Sequence, residues 1–206
     1  MEACLKFGLA NDIILNSKKS AILPFLPDDK KKFITPAFNL NNEPVPTVES
    51  FKYLGHILST NGSNDLDIER QRKKIYARGN AIIRKFHMCT VEVKVMLFRT
   101  YCTPLYTAHL WTDYSNSTLA NFYIAYHIMM KLFIGLYKTE HNRPLCVKYD
   151  IPHGPALLRN LIYRFICRLM DSQNNLLCVI NNSDCLLEST LHKKWFSLLH
   201  IEPSTN

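Results

Sequence analysis

Phe51-Lys52-Tyr53-Leu54-Gly55-His56-Ile57-Leu58 is an apolar, aromatic-bearing run that reads as a β-strand, and the chain turns directly after it at Thr60-Asn61-Gly62-Ser63. Beyond that turn the apolar period changes. Ile68, Ile75, Ile82 and Phe86 recur at spacings of 7, 7 and 4, the buried stripe of a long helix. A small strand-bearing piece before an all-helical one makes the expected fold α+β, with the boundary near Thr60.

Working back from that strand, residues 1–10 read as the end of a helix, with Leu5 and Leu9 four apart and Cys4 beside them. Ile13-Ile14-Leu15 reads as a short strand, residues 16–19 as a polar corner, and residues 20–26 as a second strand that Pro24 confines to an edge. Residues 27–32 form a charged turn. Residues 33–48, with Pro36, Pro44 and Pro46, are expected to be the least ordered connection.

Working forward, Ser63 is the expected N-cap, Asp65 and Asp67 suit the positive end of the helix dipole, and the helix runs to about Met88. A second helix covers about 91–101, with Leu97, Phe98 and Tyr101 inward and Pro104 bending or ending it. Residues 119–136 make a third, very apolar helix. Arg143-Pro144 starts a shorter one, and Pro155 opens a fifth with Leu158, Leu161, Ile162, Phe165, Ile166 and Leu169 on one side. Residues 186–199 form the last. Tyr106 and Trp111 are expected in the core.

Composition bounds the function. A chain of 206 residues buries about 70% of its unfolded surface, and 47% apolar with 20% charged residues excludes general disorder. Six glycines argue against a many-turned β-sandwich. No run of 18 uncharged apolar residues exists, and the first dozen residues are too polar for a secretory signal, so an intracellular chain, cytoplasmic or nuclear, is expected without a membrane partner. The seven cysteines include no Cys-x-x-Cys pair, which points to reduced, mostly buried thiols.

The formal charge of +8 favours polyanionic partners, nucleic acid first. Seven of the 25 basic residues fall between positions 70 and 85: Arg70, Arg72, Lys73, Lys74, Arg78, Arg84 and Lys85. No acid comes after Glu69 in that helix, so oppositely charged i, i+4 partners are expected to be missing. Such a row costs stability unless a polyanion neutralises it, which fits contacts to phosphates. A solvent-facing charged helix shows the same row, and both readings stand at this point. Tyr53 and Tyr76 are candidates for stacking on sugars or bases, and Phe86 is expected in the core.

Metal chemistry has little to work with. Asp28-Asp29 is the only adjacent acidic pair, and three lysines come next, which weakens its hold on a cation. His87 and Cys89 lie close together without a second ligand pair and are read as structural. Neither a Gly-rich phosphate loop, a Gly-x-Ser-x-Gly elbow nor a His-Glu-x-x-His helix occurs.

Taken in order, the motifs resemble the reverse transcriptase of non-LTR (LINE-type) retrotransposons. Leu15-Asn16-Ser17-Lys18-Lys19-Ser20 is similar to that family's Asn-x-x-Lys corner at the end of the palm, and Phe51-Lys52-Tyr53-Leu54-Gly55-His56 to its Lys-Tyr-Leu-Gly primer-grip hairpin. Lys94-Val95-Met96-Leu97-Phe98, Tyr101-Cys102, Leu105-Tyr106 and Leu110-Trp111 resemble the thumb pattern, and Ala125-Tyr126-His127 with Arg164-Phe165-x-x-Arg168-Leu169 resemble later positions. Thr103-Pro104 departs from it, falling where the resemblance implies a continuous helix.

The resemblance implies Lys19 as an auxiliary group beside the incoming nucleotide's phosphates, and Lys52, Tyr53, Leu54 and Gly55 under the primer terminus. Gly55 also suits a close backbone approach within a strand. The parent chemistry it implies is RNA-templated DNA synthesis with two Mg²⁺ ions, held by aspartates that precede the Asn-x-x-Lys corner. Only Asp12 and Glu2 precede Asn16 here, so the expectation is a fragment without the fingers and the metal-binding half of the palm, with no cofactor of its own and RNA or an RNA–DNA duplex as partner. Residues 1–60 would be the palm remnant, 61–140 the thumb-like region and 141–206 a C-terminal helical extension. The alternative is a non-enzymatic helical module that docks a protein or a nucleic acid.

Overall fold

Two short β-hairpins and a set of packed helices make an α+β fold in which helix dominates. The structure is a computed structural model and describes residues 2–25, 36–136, 140–181 and 183–199. The expected charged turn at 27–32, with Asp28-Asp29, lies outside them. The chain divides into two units, Met1–Asn64 and Asp65–Asn206.

In the first unit, helix α1 (Glu2–Ala10) ends on a turn in which Ile13 N–H donates to the Gly8 carbonyl at 2.8 Å and Asp12 takes a φ of 53°. Leu9 and Cys4 are exposed and Leu5 is half buried, so the expected Leu5–Leu9 stripe is covered only at Leu5. The Ile13-Ile14-Leu15 run is not a strand: it has no ladder partner among the described residues, and Ile14 is 91% exposed. The expected strand over 20–26 reduces, among the described residues, to one parallel bridge between Ile22 and Thr47. Apolar content alone does not make a strand where no neighbour takes up its backbone groups.

The supposedly least ordered connection holds a hairpin. Strands β1 (Asn39–Leu40) and β2 (Glu43–Pro44) pair antiparallel across Asn41 and Asn42, whose φ angles of 51° and 62° fit a type I′ turn. The decisive stretch is likewise two strands: β3 (Ser50–Tyr53) pairs with β4 (His56–Ser59) in the register Phe51↔Leu58 and Tyr53↔His56.

The second unit is helical throughout. Helices α2 (Asp65–Lys85), α3 (Val91–Tyr101) and α4 (Asn116–Ile134) pack on one another, with α2 lying mainly along α4. Helix α2 starts one residue later than a Ser63 cap would place it and stops before Met88. Its buried face holds Ile68 and Ile75 as expected, but also Asp67, Gln71 and Gly79, while Ile82 and Phe86 are only half buried. At Gly79 a Cβ would collide with the thioether of buried Met129, so glycine permits this close approach of α2 and α4. Val95 and Phe98 face inward from α3, whereas Tyr101 is half exposed. Ser115 caps α4 by accepting from Thr118 N–H at 3.2 Å, and Gly135 ends it in the left-handed conformation.

Helix α5 (Asn142–Lys148) leads to α6 (Gly154–Met170), which buries Leu157, Leu158 and Ile162. A helix not expected from the sequence, α7 (Asn175–Asn181), comes next, and the expected final helix is broken into α8 (Asp184–Leu187) and α9 (Thr190–Leu199). One core runs through the whole unit. Phe98 meets Tyr126 and Phe133 at ring separations of 5.3 and 5.2 Å, and Trp195 of α9 donates to the His109 carbonyl at 2.8 Å. Trp111 is fully buried in that core, but Tyr106 is 83% exposed, against expectation. Of the six cysteines whose side chains are described, only Cys102 and Cys146 are buried, so the thiols are not mostly interior.

Asp67 anchors this core. Its sequence position suits a helix-end charge at the surface, yet it is 0% exposed. Its Oδ2 accepts from the Thr107 hydroxyl at 3.0 Å and the Trp111 indole N–H at 2.9 Å, while Oδ1 accepts from Arg70 Nε at 3.0 Å. A carboxylate in so dry a place stands only because every side of it is satisfied. Asp67→Ala is therefore expected to lose about 3–5 kcal/mol in urea denaturation, because it strands the Arg70 charge. Adding Arg70→Met should recover part of that loss; strictly additive losses would contradict the linkage.

A second buried polar contact sets a pH dependence. Buried His127 accepts the Gly154 N–H on Nε2 at 3.2 Å, and its ring lies 4.4 Å from that of His153. Burial, then the neighbouring His153 and Lys131, push the His127 imidazole down to about 4 from 6.5. Burial also lowers His153, with Arg143 and Arg159 beside it. The folded chain thus binds fewer protons than the unfolded chain between pH 4 and 6.5. Stability from His127 should be complete above that window and fall as pH drops through it, by at most about 3 kcal/mol. Urea midpoints of the wild type and His127→Gln at several pH values test this, since the variant should lose most of the slope.

Candidate nucleic-acid interface

The seven cations expected to act together on α2 separate into two groups. Arg70 is not an interface residue: its side chain is only 15% exposed, and it pairs with Asp67. Arg72 forms a two-pronged pair with Glu69, Nε to Oε2 and Nη2 to Oε1, both at 2.7 Å. That bond chiefly holds the Glu69 carboxyl below its usual range and raises the Arg72 guanidinium. Lys73 Nζ stands 4.0 Å from the same carboxylate. The expectation of missing acidic partners therefore fails for Arg70, Arg72 and Lys73, whose partners lie three and four residues toward the N-terminus, within reach on a helix.

Five cations carry the surface charge. Lys73, Arg78, Arg84 and Lys85 are exposed, and Lys74 is half exposed. At 100° per residue these five fall within an arc of about 140°, away from Ile68 and Ile75, while Arg72 stands apart beside Glu69. Arg78 donates to the Tyr101 carbonyl at 3.4 Å, at the end of α3, where helical carbonyls lack internal partners. Lys85 Nζ lies 5.8 Å from the Phe86 ring. Tyr76 is half buried against the core, which leaves it little freedom to stack on a base.

The second expected set lies on the β3–β4 hairpin. Lys52 and Tyr53 end β3, which is exposed along its length, while β4 buries His56 and Ser59. Leu54 and Gly55 form the turn, with φ of 44° and 85°. This corrects the reading of Gly55: a Cβ there would meet nothing within 4 Å, so positive φ and not close approach calls for glycine. Leu54 is 79% exposed and contributes little packing to the tip. The two sets belong to different units of the chain.

Lys19 sits in the polar corner, where Asn16 Oδ1 accepts from the Lys19 N–H at 3.2 Å. The corner is tied to the first hairpin by Asn41 Nδ2, which donates to the Leu15 carbonyl at 2.9 Å, and by the Ser17 hydroxyl on the Glu43 carboxylate. Lys19 itself points to solvent.

The described residues do not fit a two-magnesium site. Among them no three His, Cys, Asp or Glu side chains gather. The acids nearest the basic face are already engaged: Asp67 and Glu69 with arginines, and Asp65 with the Ser115 N–H at 2.9 Å. His87 is exposed with Nδ1 3.1 Å from the Arg84 carbonyl, and Cys89 is half buried, so neither is set up as a ligand. No helix among the described residues is long and apolar enough to cross a membrane.

Set beside protein-family models, curated proteins and solved structures, the chain matches none. The likeness to non-LTR reverse transcriptases accordingly rests on the motifs alone.

The hairpin tip offers a direct check of its geometry. Leu54→Asn places a residue that tolerates positive φ before Gly55, and should stabilise the hairpin by up to about 1 kcal/mol. Slower hydrogen exchange of the β3 and β4 amides in the variant would report it. Faster exchange would exclude a turn of this type.

Proposed function

We propose that this chain grips the sugar–phosphate backbone of RNA or an RNA–DNA duplex, as the primer-grip and thumb part of a reverse transcriptase of the non-LTR type, and does not itself carry out nucleotidyl transfer. The observation that carries the proposal is the arc of Lys73, Lys74, Arg78, Arg84 and Lys85 along one side of α2, four of them exposed and Lys74 half exposed, with Arg70 drawn off to the buried Asp67 and Arg72 to Glu69, which Lys73 also approaches at 4.0 Å. Cations on one side of a rigid helix neutralise successive phosphates and release counterions, which supplies affinity without reading bases. The exposed strand β3 adds Lys52 and the Tyr53 ring, a charge and an aromatic face suited to a strand end. The motif order from Asn16 to Trp111 supports the family reading.

A second reading, a module that docks a protein, draws on Leu9, Ile13 and Ile14, which are exposed in the first unit. One titration separates the two. Affinity for an RNA–DNA duplex should fall with salt along a log–log slope of about −4.5 for five engaged cations. Arg84→Gln with Lys85→Gln should flatten the slope by about 2, whereas Arg72→Gln should leave it nearly unchanged. A flat wild-type slope, or an Arg72 effect as large as the double variant's, would sink the proposal.

A further inference from the structure

The second unit holds an open, shallow cavity of about 450 Å³ among α3, the loop after α5 and α6, well away in sequence from the basic row of α2. Its floor is apolar: Ile151 and Leu157 are buried there. Its rim is cationic. Arg99 and Arg164 come from different helices, and among the described residues Asp150 is the one acid that lines the space with them, so two positive charges face one negative. Arg99 Nη2 donates to the Tyr149 carbonyl at 2.7 Å and to Asp150 Oδ2 at 2.8 Å, which fixes its guanidinium plane at the mouth. Arg164 has its main-chain carbonyl engaged by Arg168, and its own guanidinium makes no hydrogen bond or ion pair among the described residues. Asn160 adds an exposed amide, a donor and an acceptor together.

We infer that this cavity binds a small organic phosphate with a flat or apolar body, of the nucleoside monophosphate class. The volume lies in the range of small-molecule sites, which pair an apolar lining with a few polar groups that orient the ligand. The planar guanidinium fork of Arg164 matches phosphate oxygens two at a time, and the surplus positive charge at the rim selects an anion. Pro152 and Leu161, both half buried over the buried Ile151 and Leu157, offer an apolar surface for a base, while Asn160 is placed to address its edge. The site shares no residue with the α2 row, so it stands or falls independently of the backbone-gripping proposal.

Calorimetric titration of the full chain with adenosine monophosphate, adenosine and inorganic phosphate tests the assignment. The monophosphate should bind about tenfold or more tightly than either of the others, because only it engages rim and floor together. Arg164→Gln, at an exposed position, should reduce monophosphate binding to the adenosine level without moving the melting temperature. Asp150→Asn removes the rim acid at a φ of 48° that asparagine tolerates, and should tighten monophosphate binding. Arg84→Gln with Lys85→Gln should leave all three affinities unchanged. Equal binding of monophosphate and adenosine, indifference to Arg164→Gln, or no heat from any of the three at millimolar concentration would overturn it.

Discussion

The helical unit depends on a carboxylate that has no exposed surface. Asp67 enters the core in the first turn of α2 and is held there by Thr107, Trp111 and Arg70. A buried charge of this kind adds little net stability compared with an apolar group of the same shape, but it tolerates few arrangements of its neighbours. Thr107 and Trp111 are 40 and 44 residues away in sequence, so the start of α2 and the segment after α3 are registered against each other by one side chain. Trp111 then meets Phe122 of α4 edge-on at 5.5 Å, which carries the registration into the third helix.

The surface of α2 is set by its apolar face. With Ile68, Gln71, Ile75 and Gly79 inward, five of its cations fall on the other side of the helix, and Asp67 is buried at the border between the two. Arg70 is the instructive exception. By charge it belongs with the others; by position it completes the buried site, and its partner is an acid three residues earlier. Glu69 does the same for Arg72 at the surface, where an exposed pair is worth little and mainly keeps the two side chains aligned. Charge counted along a sequence overstates charge available to a ligand whenever acids cluster at one end of the helix.

What the sequence showed and what it hid differ by the range of the interaction involved. Helices α3, α4 and α6 were legible because their signals are local: an apolar 3.6-residue period, a Pro at the start of α6 and Pro104 beyond the end of α3, although the Ser115 cap that starts α4 three residues before 119 was missed. The hairpins were harder. Asn41-Asn42 is a good turn dipeptide buried in a Pro- and Asn-rich stretch, and Leu54-Gly55 puts leucine at a positive φ where asparagine is the usual signal, so two strands read as one. Ile13-Ile14-Leu15 erred the other way, since apolar composition does not reveal whether a pairing partner exists. The Asp67 site and the Arg99–Asp150 contact join residues some 40 to 51 positions apart, and no window along the chain contains both ends. Of the candidate interface, the cationic row was visible; its subdivision by Asp67 and Glu69 was not.

The departure from the thumb pattern at Thr103-Pro104 acquires a physical reason from the same anchor. A helix continuing through this region would carry Thr107 and Trp111 along its own axis, away from Asp67. Instead α3 ends at Tyr101, Cys102 N–H closes on the Phe98 carbonyl at 2.8 Å, and the Thr103 hydroxyl returns to the Arg99 carbonyl at 2.5 Å. Proline next in line has no N–H to continue the ladder, so the chain leaves the helix there. The segment beyond it reaches Asp67 with two donors, and leaves Tyr106 in solvent on the way. A break that looks like a flaw in a helix is, on this geometry, what allows one carboxylate to organise three.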